Sequence, residues 1–201
     1  AGDINISVTG SLTQNANTGI STDSSGAGNA GKININANSL QINRSSISSS
    51  VTNTGQGGEI NITAGSLVSN GAGIKTDTYG TGNAGKININ AKNSFEFKGV
   101  IQSQALESST GNGGEINITA NSLELPKNPD PNDYTLVSTT TAGIGGAGNI
   151  NITVTGPLTV DSGAKITQIT TESFGNGKAG DLKISADAIK LDHQSEFSAT
   201  S

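Results

Sequence analysis

Residues 82–91 read Gly-Asn-Ala-Gly-Lys-Ile-Asn-Ile-Asn-Ala, and the same ten residues stand at 28–37. The Gly-x-Ile-x-Ile phrase inside them recurs in seven near-copies, beginning at Gly2, Gly31, Gly58, Gly85, Gly114, Gly148 and Gly180. Successive steps are 29, 27, 27, 29, 34 and 32 residues. Periods of this length mark repeat architectures, in which each unit is too small to bury its own apolar face and stacks on its neighbours.

The repeat from Gly58 to Ala84 shows how one unit is built. Glu59-Ile60-Asn61-Ile62-Thr63-Ala64 alternates polar and apolar residues at the period of a half-buried strand. A Gly65-Ser66 corner leads to Leu67-Val68, Ser69-Asn70-Gly71 breaks the chain again, and Ile74-Lys75-Thr76-Asp77-Thr78 supplies a third short segment. The Gly-rich stretch 79–84 then climbs to the next copy. Second-segment anchors recur at Leu12, Leu40, Leu67, Phe95, Leu123, Leu158 and Ile189, and third-segment anchors at Ile20, Ile47, Ile74, Ile101, Val137 and Ile169. Strands this short are stable only when each pairs with its counterpart one rung away. The pattern predicts an all-β chain, a parallel β-helix (β-solenoid) of about seven rungs with three short strands each. The crossover rule makes the coil right-handed, and ~4.8 Å per rung makes the rod on the order of 34 Å long.

Composition fits a narrow core. Only 31% of the 201 residues are hydrophobic and 3% aromatic, with 28 Gly, values that would suggest disorder if the apolar residues were scattered. They recur in register instead. Residues 1–201 form one solenoid domain, expected to be cut through its pattern at both ends because Ala1-Gly2-Asp3-Ile4 matches the interior of a repeat and Ser201 stops partway through another. End-to-end or flanking β-helix contacts are expected at such edges. A net charge of −5, with Arg44 the only arginine, provides no basic stripe for nucleic acid. No apolar run reaches the ~18 residues of a membrane span. Cys is absent, so neither disulfides nor thiolate metal sites are expected, and no cofactor or metal is predicted.

Stacking turns outward positions into rows. The residue after each repeat glycine runs Asp3, Lys32, Glu59, Lys86, Glu115, Asn149, Asp181, alternating in sign over five rungs. The residue between the isoleucines runs Asn5, Asn34, Asn61, Asn88, Asn117, Asn151, then Lys183. Charge alternation disfavours a one-rung slip, and an asparagine row can form amide ladders. Asn5, Asn61, Asn117 and Asn151 also fit Asn-x-Ser/Thr, but a glycan on a strand interior would crowd the ladder.

Taken together, the copies at 28–37 and 82–91, the following Asn-Ser-Leu and the later Ile-x-Thr resemble the repeat region of filamentous haemagglutinin-like exoproteins, exported by two-partner secretion. The similarity covers essentially the whole chain. It implies a right-handed β-helical rod, export from a Gram-negative-type cell and a place in a secreted cell-surface adhesin, with glycans or a host or neighbour cell surface as partners. The family's amino-terminal secretion domain is not present in this sequence.

Candidate contact residues lie in two places. Residues 126–134 form an insertion with three of the four prolines, read first as a tolerated loop and alternatively as a ligand contact through Asp130, Asp133 and Tyr134, with the two carboxylates in reach of a calcium ion. Tyr79 and Phe174 share the loop position before Gly80 and Gly175, where other rungs place Ser25, Thr54, Thr110 and Ala142. Exposed aromatics stack on sugars, but these two are three rungs, roughly 14 Å, apart, and separate loop packing explains them more simply. His193 is placed beyond the last paired strand and given no catalytic role. The expected function is a structural shaft without enzymatic activity. The alternatives are a polysaccharide-binding or polysaccharide-degrading β-helix, disfavoured by scattered carboxylates, and an ice-binding face, disfavoured by the irregular row Ser21, Ser48, Lys75, Gln102, Ser138, Thr170.

Overall fold

The computed structural model of the protein describes residues 1–106, 109–127, 134–162 and 167–201. Its fourteen strands fall into seven coils. They are Ile4–Gln14 and Gly19–Ser21; Ile33–Asn43 and Ser46–Ser48; Glu59–Lys75; Lys86–Gln102; Ile116–Leu125 and Thr135–Thr141; Ile150–Val154, Pro157–Asp161 and Thr167–Ser173; and Leu182–Ser185, Ala188–Asp192 and Ser195–Thr200. Strand partners are parallel, each strand beside its equivalents in the neighbouring coils. The described residues contain no helix. The chain is a β-solenoid of about seven turns.

All three anchor columns stand in the expected register. Ile4, Ile33, Ile60, Ile87, Ile116, Ile150 and Leu182 stack in the first. The second runs from Leu12 through Phe95 to Ile189. The third runs from Ile20 through Ile101 and Ile169 and ends on Phe197, a seventh anchor that the sequence reading omitted. The inward side chains of the middle coils are fully buried. In the first and last coils the same positions are half-exposed or exposed, as at Leu12 and Ile189.

The structure departs from three short strands per rung in coils three and four, where the segments fuse into single strands of 17 residues. The corners survive as register shifts between Ala64 and Ser66 and between Asn70 and Ala72. At the second corner the backbone enters the left-handed region, at Asn17, Arg44, Gly71, Gly99 and His193. Asparagine and glycine carry little penalty there. The placement of His193 beyond the last paired strand is corrected: it turns this corner in coil seven, and Ser195–Thr200 after it pairs with Thr167–Ser173.

A row of buried hydroxyls closes the coils. Thr22, Ser49, Thr76, Ser103, Thr139 and Thr171 each lie two residues beyond a third-column anchor, and all six are buried. Thr22 donates to the Gly31 carbonyl at 3.0 Å, Ser49 to the same carbonyl at 2.5 Å and Thr171 to the Gly180 carbonyl at 2.7 Å. The Thr22 and Ser49 hydroxyls lie 2.9 Å apart, and Thr76 donates to Ser103 at 2.9 Å. These bonds satisfy carbonyls that the end of one coil and the start of the next would otherwise bury unpaired.

Candidate functional surface

Outside the core, the first-segment face carries the predicted amide ladder. Asn34 donates from Nδ2 to Asn5 Oδ1 at 2.7 Å, and Asn61, Asn88, Asn117 and Asn151 each donate to the asparagine one rung before at 2.8–2.9 Å. The dipoles all point one way, with the carbonyl end toward coil seven. Lys183 stands in register with Asn151 at that end. Asn5, Asn61, Asn117 and Asn151, each the first residue of an Asn-x-Ser/Thr match, lie within this ladder.

The charge row interlocks with it. Lys32 pairs with Glu59 at 3.0 Å and Lys86 with Glu115 at 2.7 Å. Glu59 Oε1 also accepts from Asn88 at 3.0 Å, and Glu115 Oε1 from Asn151 at 3.2 Å. Each glutamate therefore holds a lysine one rung before it and an asparagine one rung after it, giving a unit that repeats every two coils. The hydrogen bond that Lys32 donates to Glu59 is the main cause that raises the pKa of Lys32. A shallow furrow of about 350 Å³ runs along this face between Asn5, Asn34, Asn61 and Ser7, Asn36, Thr63.

A second amide row, unforeseen in the sequence, runs along the Gly-rich connection. Asn29 Oδ1 accepts the Gln56 backbone N–H at 2.9 Å, Gln56 Oε1 that of Asn83 at 3.1 Å, Asn83 Oδ1 that of Asn112 at 2.8 Å, and Asn112 Oδ1 that of Gly146 at 2.8 Å. The signal was present in the recurring Asn or Gln two residues before the repeat glycine.

The third-segment face holds the most perturbed group. Asp77 is 2% exposed, and its carboxylate accepts from Gln102 Nε2 at 2.5 Å and from the Gln104 N–H at 3.0 Å. Desolvation outweighs both bonds and the Lys75 charge, pushing the carboxyl up to about 6. Asp23, two coils earlier, adds a small push in the same direction. The row Ser21, Ser48, Lys75, Gln102, Ser138, Thr170 is in the expected register.

Of the insertion's candidates, Asp130 and Asp133 lie outside the described residues. Tyr134 is 53% exposed and edges an open groove of about 200 Å³ with Gly71, Gly73, Lys75, Gly99 and Val100. Tyr79 and Phe174 do share a column, with Ser25 and Ala142 as expected, but two of its members differ from the expected ones. The bridges Ser24 to Val51, Thr78, Ala105 and Thr141 place Thr52 and Leu106 there, in place of Thr54 and Thr110. Counting from glycines misplaces the column in coil two because Asn53 stands where coil three has Gly80, and in coil four because extra residues separate Leu106 from Gly111. His193 Nδ1 lies 2.8 Å from Asp161 Oδ1 at the second corner. Among the described residues, no group of three or more His, Cys, Asp or Glu is placed to hold a metal ion, and no helix is long and apolar enough to cross a membrane.

Comparison of the chain with protein-family models, with curated proteins and with solved structures gives no match.

Proposed function

We propose that the chain is a structural shaft segment of a secreted cell-surface adhesin or filament of the filamentous haemagglutinin-like kind. One observation carries this reading: three apolar columns and an external amide ladder continue coil after coil, so the polypeptide is committed to making length. A solenoid with this register is a stiff spacer, suited to holding other parts of a protein away from a surface. The polar exterior of asparagine, threonine and paired charges keeps its flanks soluble. Antibodies raised against residues 1–201 test the proposal on intact cells of the source organism. Labelling of unpermeabilised cells, sensitive to added protease, is expected; labelling that appears only after permeabilisation contradicts it.

A further inference from the structure

The face formed by the first segments is described in full in all seven coils. From the first isoleucine to the alanine or valine four residues on, its strands pair through coils one to six without a register shift. Three outward columns therefore make a regular grid, with about 4.8 Å between rungs and about 6.6 Å between columns. Two of the columns are satisfied within the chain, the asparagine ladder and the charge row that interlocks with it. The third is open. Asn36, Thr63, Asn90 and Thr119 are half-buried or exposed, and their side chains make no hydrogen bond to any described residue.

The charge row and this open column alternate with the same period of two coils. Over coils two to five the first reads Lys32, Glu59, Lys86, Glu115, and the second Asn36, Thr63, Asn90, Thr119. A series of this kind is complementary to its own reverse. When a second copy is turned end for end about a two-fold axis that runs along the strands, between coils three and four, coil two meets coil five and coil three meets coil four. Lys32 then faces Glu115 of the second copy and Glu59 faces its Lys86, while each open asparagine faces a threonine. Sliding the copy by one rung sets Lys32 against Lys86 or Glu59 against Glu115. A parallel arrangement lays the charge row on the uncharged third column and loses the ion pairs.

We propose that two copies of this chain associate side by side and antiparallel through this face, in the register that the alternating charge row selects. The contact is lateral and is distinct from any stacking at the ends of the coils. Other partners would need opposite charges alternating at the rung spacing, and a reversed copy of the chain supplies them. The matched face is about 20 Å wide and about 29 Å long over six coils. That is on the order of 600 Å² per chain, short of the ~800 Å² of a standard interface, so the dimer is weak and reversible. Lys92, exposed at the margin of the face beside Gly65, approaches its own counterpart across the axis and opposes the pairing. The association needs only coils one to six and does not rest on the shaft reading.

Sedimentation equilibrium of the 201-residue chain, from micromolar to millimolar concentration, tests the inference. A monomer–dimer equilibrium is expected, weakened roughly tenfold or more in about 1 M NaCl. Lys32→Glu/Lys86→Glu makes the row acidic, and Glu59→Lys/Glu115→Lys makes it basic over coils two to five. Each variant alone should be monomeric, and an equimolar mixture should restore the dimer. Both variants stay net negative, starting from −5, so bulk attraction does not account for their pairing. Asn90→Arg breaks no internal side-chain bond and obstructs the centre of the face; it should weaken the dimer roughly tenfold or more. Lys92→Ala should not weaken it. Circular dichroism identifies the folded variants, and Asn90→Arg carries the test if a charge-swapped chain fails to fold. A parent chain that is monomeric at millimolar concentration overturns the inference, as do a dimer indifferent to both salt and Asn90→Arg, the mark of end-to-end stacking, and folded charge-swapped chains that stay apart on mixing. None of these results alters the cell-surface labelling that tests the shaft.

Discussion

Gly58 shows at atomic scale why the repeat phrase begins with glycine. A Cβ there would stand 2.0 Å from both the Gly31 carbonyl oxygen and Ser49 Oγ, the atoms that close the preceding coil. Gly58→Ala should therefore destabilise the protein by about 1–3 kcal/mol in urea unfolding, whereas Gly26→Ala, with nothing within 4 Å, should be close to neutral. Asp77 gives a second residue-level outcome. Its folded pKa of about 6 exceeds the ordinary 3.8, so the fold binds the proton more tightly than the unfolded chain does. The resulting contribution is fully present below pH 3.8 and is lost as the pH rises through 6. Asp77→Asn keeps an acceptor for the Gln104 N–H without the buried charge. It should stabilise the protein at pH 7.5 by up to about 3 kcal/mol, with the advantage shrinking to nothing near pH 3.5. Melting curves of the two proteins that run parallel across this range would contradict the burial argument.

Elements in this fold are columns as much as strands, and their legibility in the sequence followed from repetition. Ile60, Ile87 and Ile116 could be aligned because the phrase around them hardly changes, and the same holds for the asparagines between the isoleucines. The corner column is illegible by glycine counting because the connection between it and the next glycine varies in length and composition: counting gives Thr54 and Thr110, while backbone pairing selects Thr52 and Leu106. Phe197 was omitted because no eighth glycine follows it to count back from. The hydroxyl row is not legible, although Ser or Thr follows six of the seven third-segment anchors at two residues, since its meaning depends on a carbonyl nine or eighteen residues away. Nor does a sequence disclose that Ser69, buried and bonded to the Lys98 carbonyl at 3.0 Å, leaves room for Phe97 one rung on, whose ring lies 5.6 Å from that of Phe95. The charge row makes a prediction at this scale. Lys86→Glu replaces the 2.7 Å pair to Glu115 with repulsion; it should cost about 0.5–1 kcal/mol at low salt and clearly less in 1 M NaCl. An equal cost at both ionic strengths would assign the effect to packing.

For the whole molecule, stability belongs to the stack. A single coil buries a handful of aliphatic side chains at about 1.5–3 kcal/mol each, less than the cost of ordering roughly 27 residues; adjacent coils make up the difference by sharing every buried face. Ile87 is 0% exposed in the central coil, so Ile87→Asp should unfold the rod cooperatively, with loss of the parallel-sheet signal in a single transition. A melting midpoint within a few degrees of the parent would contradict shared stability. The central claim is the register itself, and outward positions of one column report it without touching the core. Ser7, Asn36, Thr63, Asn90, Thr119, Thr153 and Ser185 are consecutive members of such a column. In a chain with no native cysteine, spin labels can be placed in pairs on it and read by pulsed electron paramagnetic resonance. Labels at Asn36 and Thr153 should lie about 19 Å apart and labels at Ser7 and Ser185 about 29 Å, in the ratio of four rungs to six. Narrow distributions in that ratio are the predicted result; broad distributions, or distances that grow out of proportion to rung number, would contradict the stacked solenoid.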